Sequence, residues 1–227
     1  PTIAGGAGSE VMLYFGTGSY ISSSDSTNTD GQAFYAVRDT GTVVGVDDLV
    51  EQTITGESII KKGNADSYSV RETSNNSVDS VDKKGWYLTL SSGERVVSSP
   101  LVKYDRVVFS TMIPSTDQCE PGGGSWIMEL DKLTGNASTK SPFDFDNDGK
   151  FDSNDFLSSG HVASGVKSTV GIVKSPVWLG GDNGKDFKEF SGTSGNIMTL
   201  GNRGKPLEEN PTGSGDIPKK LFWRQIM

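Results

Sequence analysis

Val96–Val102 reads VVSSPLV, and Ile172–Trp178 reads IVKSPVW. Both follow one pattern, apolar-Val-x-Ser-Pro-apolar-apolar, 76 residues apart (172 less 96). A second pair, SWIMEL at 125–130 and GNIMTL at 195–200, recurs 70 residues apart (195 less 125). In both copies the Ser-Pro piece precedes the Ile-Met piece. A repeated pair of short strands marks a propeller blade or a similar array. Proline, which lacks an N–H, fits the first residue or the edge of a strand, and both Ser-Pro steps can be read so. Coincidence among Gly-rich β segments is the competing explanation.

Around these repeats the chain offers about ten strand signals, or two to three blades at four strands each. EVMLYFG (10–16) ends at the Gly16-Thr17-Gly18 turn, and Gln32–Arg38 (QAFYAVR) alternates. Val46–Lys61 is ambiguous, since DDLVEQ starts like a short helix while QTITGESII favours strand or loop. Residues 63–84 are polar and read as an exposed excursion or a poorly ordered insert. Gly85–Leu90 (GWYLTL), Arg95–Val102, Arg106–Met112 and Ser125–Asp131 follow as strands. Lys103–Asp105 is a tight connection, CEPGGG (119–124) a turn-rich loop, and Lys132–Gly135 a closing turn. Gly171–Leu179, Gly195–Leu200 and Leu221–Ile226 (LFWRQI) complete the set.

Composition agrees with an all-β class. The 227 residues include 29 glycines, with Ser, Thr, Asn and Asp crowded between short apolar runs. A net charge of -8 disfavours nucleic acid and anionic membrane as partners. Cys119 is the only cysteine, so no disulfide forms within the chain. No apolar run approaches a membrane span and no signal peptide is present. The chain opens Pro1-Thr2-Ile3 without an initiator Met, which suggests a processed product or an excised piece.

The functional signal lies at 143–156, FDFDNDGKFDSNDF. Asp144, Asp146, Asp148, Asp152 and Asp155 occupy positions 1, 3, 5, 9 and 12 of an EF-hand-type loop, with Gly149 at position 6. Alternate residues of a tightly wrapped loop turn carboxylates inward, and position 7, Lys150, offers its backbone carbonyl. Calcium, a hard cation wanting six to eight oxygens, suits that set. Position 12 is Asp rather than Glu, and STKSPF ahead of the loop does not read as an entering helix. The loop is therefore expected as a surface insertion on another scaffold. A solvated Asn-Asp-Gly turn is the alternative, but five carboxylates at this spacing repel one another without a cation.

Enzyme motifs are nearly absent. His161, the single histidine, sits in SSGHVASG without a Gly-x-Ser-x-Gly elbow. Gly16-Thr17-Gly18 lacks the third glycine and following helix of a dinucleotide fingerprint. Trp86, Trp126, Trp178 and Trp223 lie in strand-like runs and read as core. Asn75-Asn76-Ser77 and Asn136-Ala137-Ser138 fit the glycosylation sequon, a pattern too common to weigh.

Several stretches together resemble the C-terminal domain of the PilC/PilY family of type IV pilus tip-associated adhesins. They are LYFGTGSYI (13–21), GQAFYAVRD (31–39), KGWYLTL (84–90), GERVVSSPLV (93–102) and residues 106–135. FDFDNDGKFD (143–152), KSPVWLGG (174–181) and FWRQI (222–226) extend the match in the family's order over nearly the whole chain. The resemblance implies a modified β-propeller, of which 1–227 would be the C-terminal part. It implies export from a Gram-negative bacterium and display at the pilus tip or outer surface, with membrane association only through the pilus machinery. Pilin or minor pilins and a host-cell or surface receptor are the implied partners. The implied role is pilus extension against retraction, twitching motility and adhesion, without catalysis. The family's nine-residue pattern, Asp-x-Asp-x-Asp-x-x-x-Asp, falls on Asp144, Asp146, Asp148 and Asp152, with the Lys150 carbonyl. Asp155 comes only from the general twelve-residue rule. Two rival functions remain at this point. One is a quinoprotein-type propeller dehydrogenase using calcium to hold its quinone, and the other is a structural module with a dockerin-like loop.

Overall fold

The computed structural model describes residues 1–4, 11–62, 66–79, 81–115, 122–180 and 185–203. Among these there are fifteen strands, joined by loops and short 3-10 turns, and no α-helix. The strands are β1 (Thr2–Ala4), β2 (Met12–Gly16), β3 (Ala33–Arg38), β4 (Val50–Ile60) and β5 (Tyr68–Thr73). Next come β6 (Gly85–Thr89), β7 (Leu101–Lys103), β8 (Arg106–Ser110), β9 (Ile113–Pro114) and β10 (Gly123–Gly124). β11 (Trp126–Asp131), β12 (Gly165–Lys167), β13 (Val177–Gly180), β14 (Lys185–Ser191) and β15 (Ile197–Arg203) complete them.

Ten strands form one sheet in the order β1-β2-β3-β6-β4-β5-β12-β11-β8-β7. It curls until its edges nearly meet, where the Thr2 hydroxyl donates to the Pro100 carbonyl at 2.5 Å. Every pairing in it is antiparallel except β4 with β6. Eleven of the fifteen strands form three antiparallel meanders, β1-β2-β3-β6, then β12-β11-β8-β7, then a separate sheet of β13-β14-β15; β4 and β5 join the first two, and β9 pairs with β10. Two cores lie between the meanders. Tyr14, Phe34, Trp86 and Leu88 pack against Val107, Phe109, Met128 and Leu130 in the first, with the Phe34 and Phe109 rings stacked at 3.8 Å. In the second, Val108 and Ile127 meet Phe190, Met198 and Leu200. Burial of each large apolar side chain contributes about 1.5–3 kcal/mol.

The repeat read from sequence is structural. Leu101↔Val108 and Val108↔Glu129 in the middle meander are matched by Val177↔Glu189 and Glu189↔Thr199 in the last. The two Ser-Pro steps also touch, since the Ser175 hydroxyl donates to the Ser99 carbonyl at 2.5 Å. Neither Ser-Pro stretch is a continuous strand, however. Regular pairing begins only at Leu101 and Val177, just after Pro100 and Pro176, which have no N–H to give a ladder. Upstream, Arg95 and Val173 make single bridges to Met112 and Gly192.

The polar stretch at 63–84 departs further from expectation. Tyr68–Thr73 is β5, an interior strand between β4 and β12. Its Arg71 is buried because Glu94 and Glu57 accept from the guanidinium at 2.8 and 2.7 Å and the Trp126 ring lies 4.0 Å away. A buried charge that is paired leaves no hydropathy signal. Val46–Lys61 holds both of its readings in turn, a 3-10 turn at Val46–Asp48 and then β4. Trp86, Trp126 and Trp178 lie in strands as read, while Glu10, Cys119, Trp223 and Leu221–Ile226 are outside the described residues.

Candidate metal centre

The acidic stretch lies in the long connection between β11 and β12. Its entering limb is core rather than surface. Phe143 and Phe145 are buried at 1% exposure with rings 5.6 Å apart, and Tyr68 packs on Phe145 at 5.4 Å. The expectation of a surface insertion holds only for the tip, because alternate aromatic residues anchor the chain while the intervening aspartates turn away. Asn147 and Gly149 adopt positive φ of 58° and 78°, wrapping the tip tightly.

That wrap brings Asp144, Asp146 and Asp148 together, with one carboxylate oxygen from each within 4.8 Å of the others. Asp144 Oδ2 accepts the Gly149 N–H at 2.8 Å, whereas Asp144 Oδ1 is buried without a hydrogen-bond partner. Burial raises the Asp144 pKa, against the pull of the Gly149 N–H, and the Asp146 carboxylate adds to the rise. Asp148 is held low by the Lys150 backbone N–H and then by its side chain, 3.1 Å away. Three converging carboxylates, one of them with a buried oxygen that no hydrogen bond satisfies, are a donor set for a hard cation.

Asp152 and Asp155 lie outside this group. Asp152 caps a 3-10 turn at Ser153–Asp155, accepting the Asn154 N–H at 2.8 Å. Asp155 is buried beneath the loop, where it accepts the N–H groups of Phe145 at 2.6 Å and Asp152 at 3.2 Å. Burial pushes its pKa up to about 6 despite those two donors, and Asp144 and Asp146 add to the rise. The Lys150 side chain pairs with Asp148. His161 is exposed and contacts Glu72 at 2.8 Å, away from the acidic group.

A buried ionic cluster, which sequence reasoning missed, lies at the junction beside the loop. Lys188 on β14 and Arg106 on β8 both donate to Glu129 on β11, all three fully or almost fully buried. Burial pushes the Lys188 ammonium down, with Glu129 opposing. Asp186 accepts from Trp178 Nε1 at 2.7 Å and Tyr104 at 3.0 Å, and pairs with Lys103 at 3.2 Å. DFKEFS (186–191) carried no hydropathy signal, because two of its three inward positions are Asp186 and Lys188. The acidic loop touches this junction, since Lys188 Nζ lies 4.9 Å from the Phe143 ring.

No family model matches the chain. Two alignments to curated Xylella fastidiosa sequence, each named type IV pilus biogenesis factor PilY1 homolog, show 28% identity over 143 residues and 26% over 226 residues. They cover 60% and 96% of this chain, but only 10% and 16% of those relatives. The chain is related to PilY1. The crystal structure of the Pseudomonas aeruginosa PilY1 C-terminal domain matches with a TM-score of 0.72 at 20% identity, over 88% of this chain and 43% of that one. The all-β architecture, with its curled, nearly closed sheet, is thus that of the PilY1 C-terminal β-propeller domain.

Proposed function

We propose that the chain is a calcium-responsive, non-catalytic part of a type IV pilus-associated protein of a Gram-negative surface. It acts in pilus biogenesis, where extension is balanced against retraction, and through it in twitching motility and adhesion. Pilins or minor pilins of the tip and a surface receptor are its partners. The relation to PilY1 supports the pilus assignment. The convergence of Asp144, Asp146 and Asp148, together with the buried, unpartnered Oδ1 of Asp144, carries the calcium assignment.

Asp144, Asp146, Asp148 and Asp152 with the Lys150 carbonyl would hold the ion, which supplies charge that offsets carboxylate repulsion. Ligation by Asp155 would exchange one of its backbone hydrogen bonds for the ion. In this reading calcium orders the tip, and exchange between bound and free states sets how the protein engages the pilus machinery. Paired variants test it in the polypeptide as the cell makes it. Asp152→Lys, which places a cation beside the loop, should lock one state and fail in motility, while Asp152→Ala should lose surface pili when calcium is chelated. Both variants behaving like the parent under chelation would remove the loop from pilus control.

A further inference from the structure

The connection from β11 to β12 lines a cleft with both of its limbs. Asn136 and Thr139, before the acidic loop, and Phe156 and His161, after it, meet Glu72 and Asn75, at and just beyond the end of β5. The cleft between them has a volume of about 360 Å³. Fully buried Gln52 on β4 holds two of the walls together. Its Nε2 lies 2.9 Å from the Asn76 and Thr134 carbonyls and from Asn136 Oδ1, while its Oε1 accepts the Asn76 N–H at 3.0 Å. Asn75 Oδ1 adds a bond from the Ala137 N–H at 2.9 Å. The third wall is closed by Leu157, whose N–H donates to the His161 carbonyl at 2.9 Å, and by the His161 ring, 2.8 Å from Glu72 Oε2. Walls fixed in this way lower the ordering cost of binding.

We propose that this cleft binds a neutral sugar unit of a glycan. Its volume stands at the lower end of ligand pockets, about 300–1,000 Å³, and suits a mono- or disaccharide. The polar atoms define the chemistry. A carboxylate only accepts, so His161 Nδ1 donates to Glu72, and Nε2 of the neutral ring is an acceptor. Glu72 Oε1 is a second acceptor, and the Nδ2 groups of Asn75 and Asn136 are donors. None of these three atoms has a hydrogen bond among the described residues. Acceptors beside donors match vicinal hydroxyls, each of which can both donate and accept. The partly buried Phe156 ring offers an apolar contact for the C–H face of a pyranose. An anionic sugar is disfavoured by the Glu72 carboxylate and by the net charge of -8. A guanidinium or ammonium group would leave the two amide donors without acceptors. Asn75 and Asn136 both head glycosylation sequons, yet here their Oδ1 atoms serve the fold. Only the further step, that such a glycan belongs to the surface receptor, rests on the adhesion reading.

Saturation-transfer NMR on the 227-residue chain tests the proposal, with methyl glycosides of glucose, galactose, mannose and N-acetylglucosamine as probes. Sialyllactose serves as the anionic probe, and N-acetylarginine amide stands for a cationic peptide. At least one neutral glycoside should receive saturation, while sialyllactose and the arginine amide should not. His161→Ala, at a side chain 70% exposed, should weaken binding of that glycoside about tenfold or more and leave the melting temperature unchanged. Glu72→Ala should weaken it at least as much. Silence from every neutral glycoside would overturn the proposal, as would stronger transfer to sialyllactose or to the arginine amide. Affinity unchanged in both variants would also overturn it, by placing the sugar elsewhere. None of these results bears on calcium binding, so the cleft and the acidic loop stand or fall separately.

Discussion

The carboxylate of Asp155 accepts the backbone N–H of Phe145 at 2.6 Å, tying together two points ten residues apart across the acidic loop. Both partners are buried, so the clasp fixes the exposed tip to the aromatic core. With a folded pKa of about 6, Asp155 retains its proton to higher pH when folded than when unfolded. The folded state then binds more protons between about pH 4 and pH 6, and stability falls as pH rises through that window. At about 1.4 kcal/mol per unit of pKa, the metal-free chain loses up to roughly 3 kcal/mol from this group. Urea unfolding of metal-free protein from pH 4 to 7 should show that fall. Asp155→Asn should flatten it, because the amide does not titrate.

The Lys188–Glu129–Arg106 cluster predicts unequal effects of removing its members. Glu129→Gln takes away the carboxylate between two buried cations and should cost about 3–5 kcal/mol. Lys188→Met leaves Arg106 paired with Glu129 and fills the volume with an apolar chain, so it should cost much less. Chemical denaturation of both variants at neutral pH checks the order, and equal losses would show that the cations do not share Glu129.

Gly135 has φ of +71°, and a Cβ there would lie 2.4 Å from the Trp86 ring. The same turn puts the Lys132 carbonyl where Trp86 Nε1 donates at 3.2 Å and the Tyr14 hydroxyl at 3.1 Å. Gly135→Ala should therefore destabilise by more than about 1 kcal/mol, from backbone strain and lost packing together. A thermal melt showing a change under one degree would contradict this account of the turn.

Much of the fold was legible because it rests on short-range patterns. Short apolar runs bounded by turns located β2, β6, β8 and β11, alternation located β3, and the Ser-Pro and Ile-Met repeats exposed two equivalent meanders. What escaped rests on long-range pairing. β5 and β14 look polar because Arg71 and Lys188 occupy core-facing positions, and only the spatial arrival of Glu94 and Glu129 makes that tolerable. The Ser-Pro stretches look like strands by hydropathy, yet the proline delays pairing in both. In the acidic loop the spacing located Asp144, Asp146 and Asp148 as neighbours. The role of Asp155 as a clasp depended on a backbone donor ten residues away, which spacing does not encode.

Calorimetric titration of calcium into the metal-free 227-residue chain tests the role assigned to the acidic loop most directly. One site should appear, with a Kd of about 10⁻⁴ to 10⁻³ M, the range of extracellular modules with such loops. Equal magnesium should not displace the ion, since magnesium demands a smaller octahedral shell and keeps its waters. Asp144→Ala should abolish binding, and Asp148→Ala should weaken it without unfolding the core. Absence of binding heat in the parent chain, or unchanged affinity in Asp144→Ala, would contradict a calcium site at this loop.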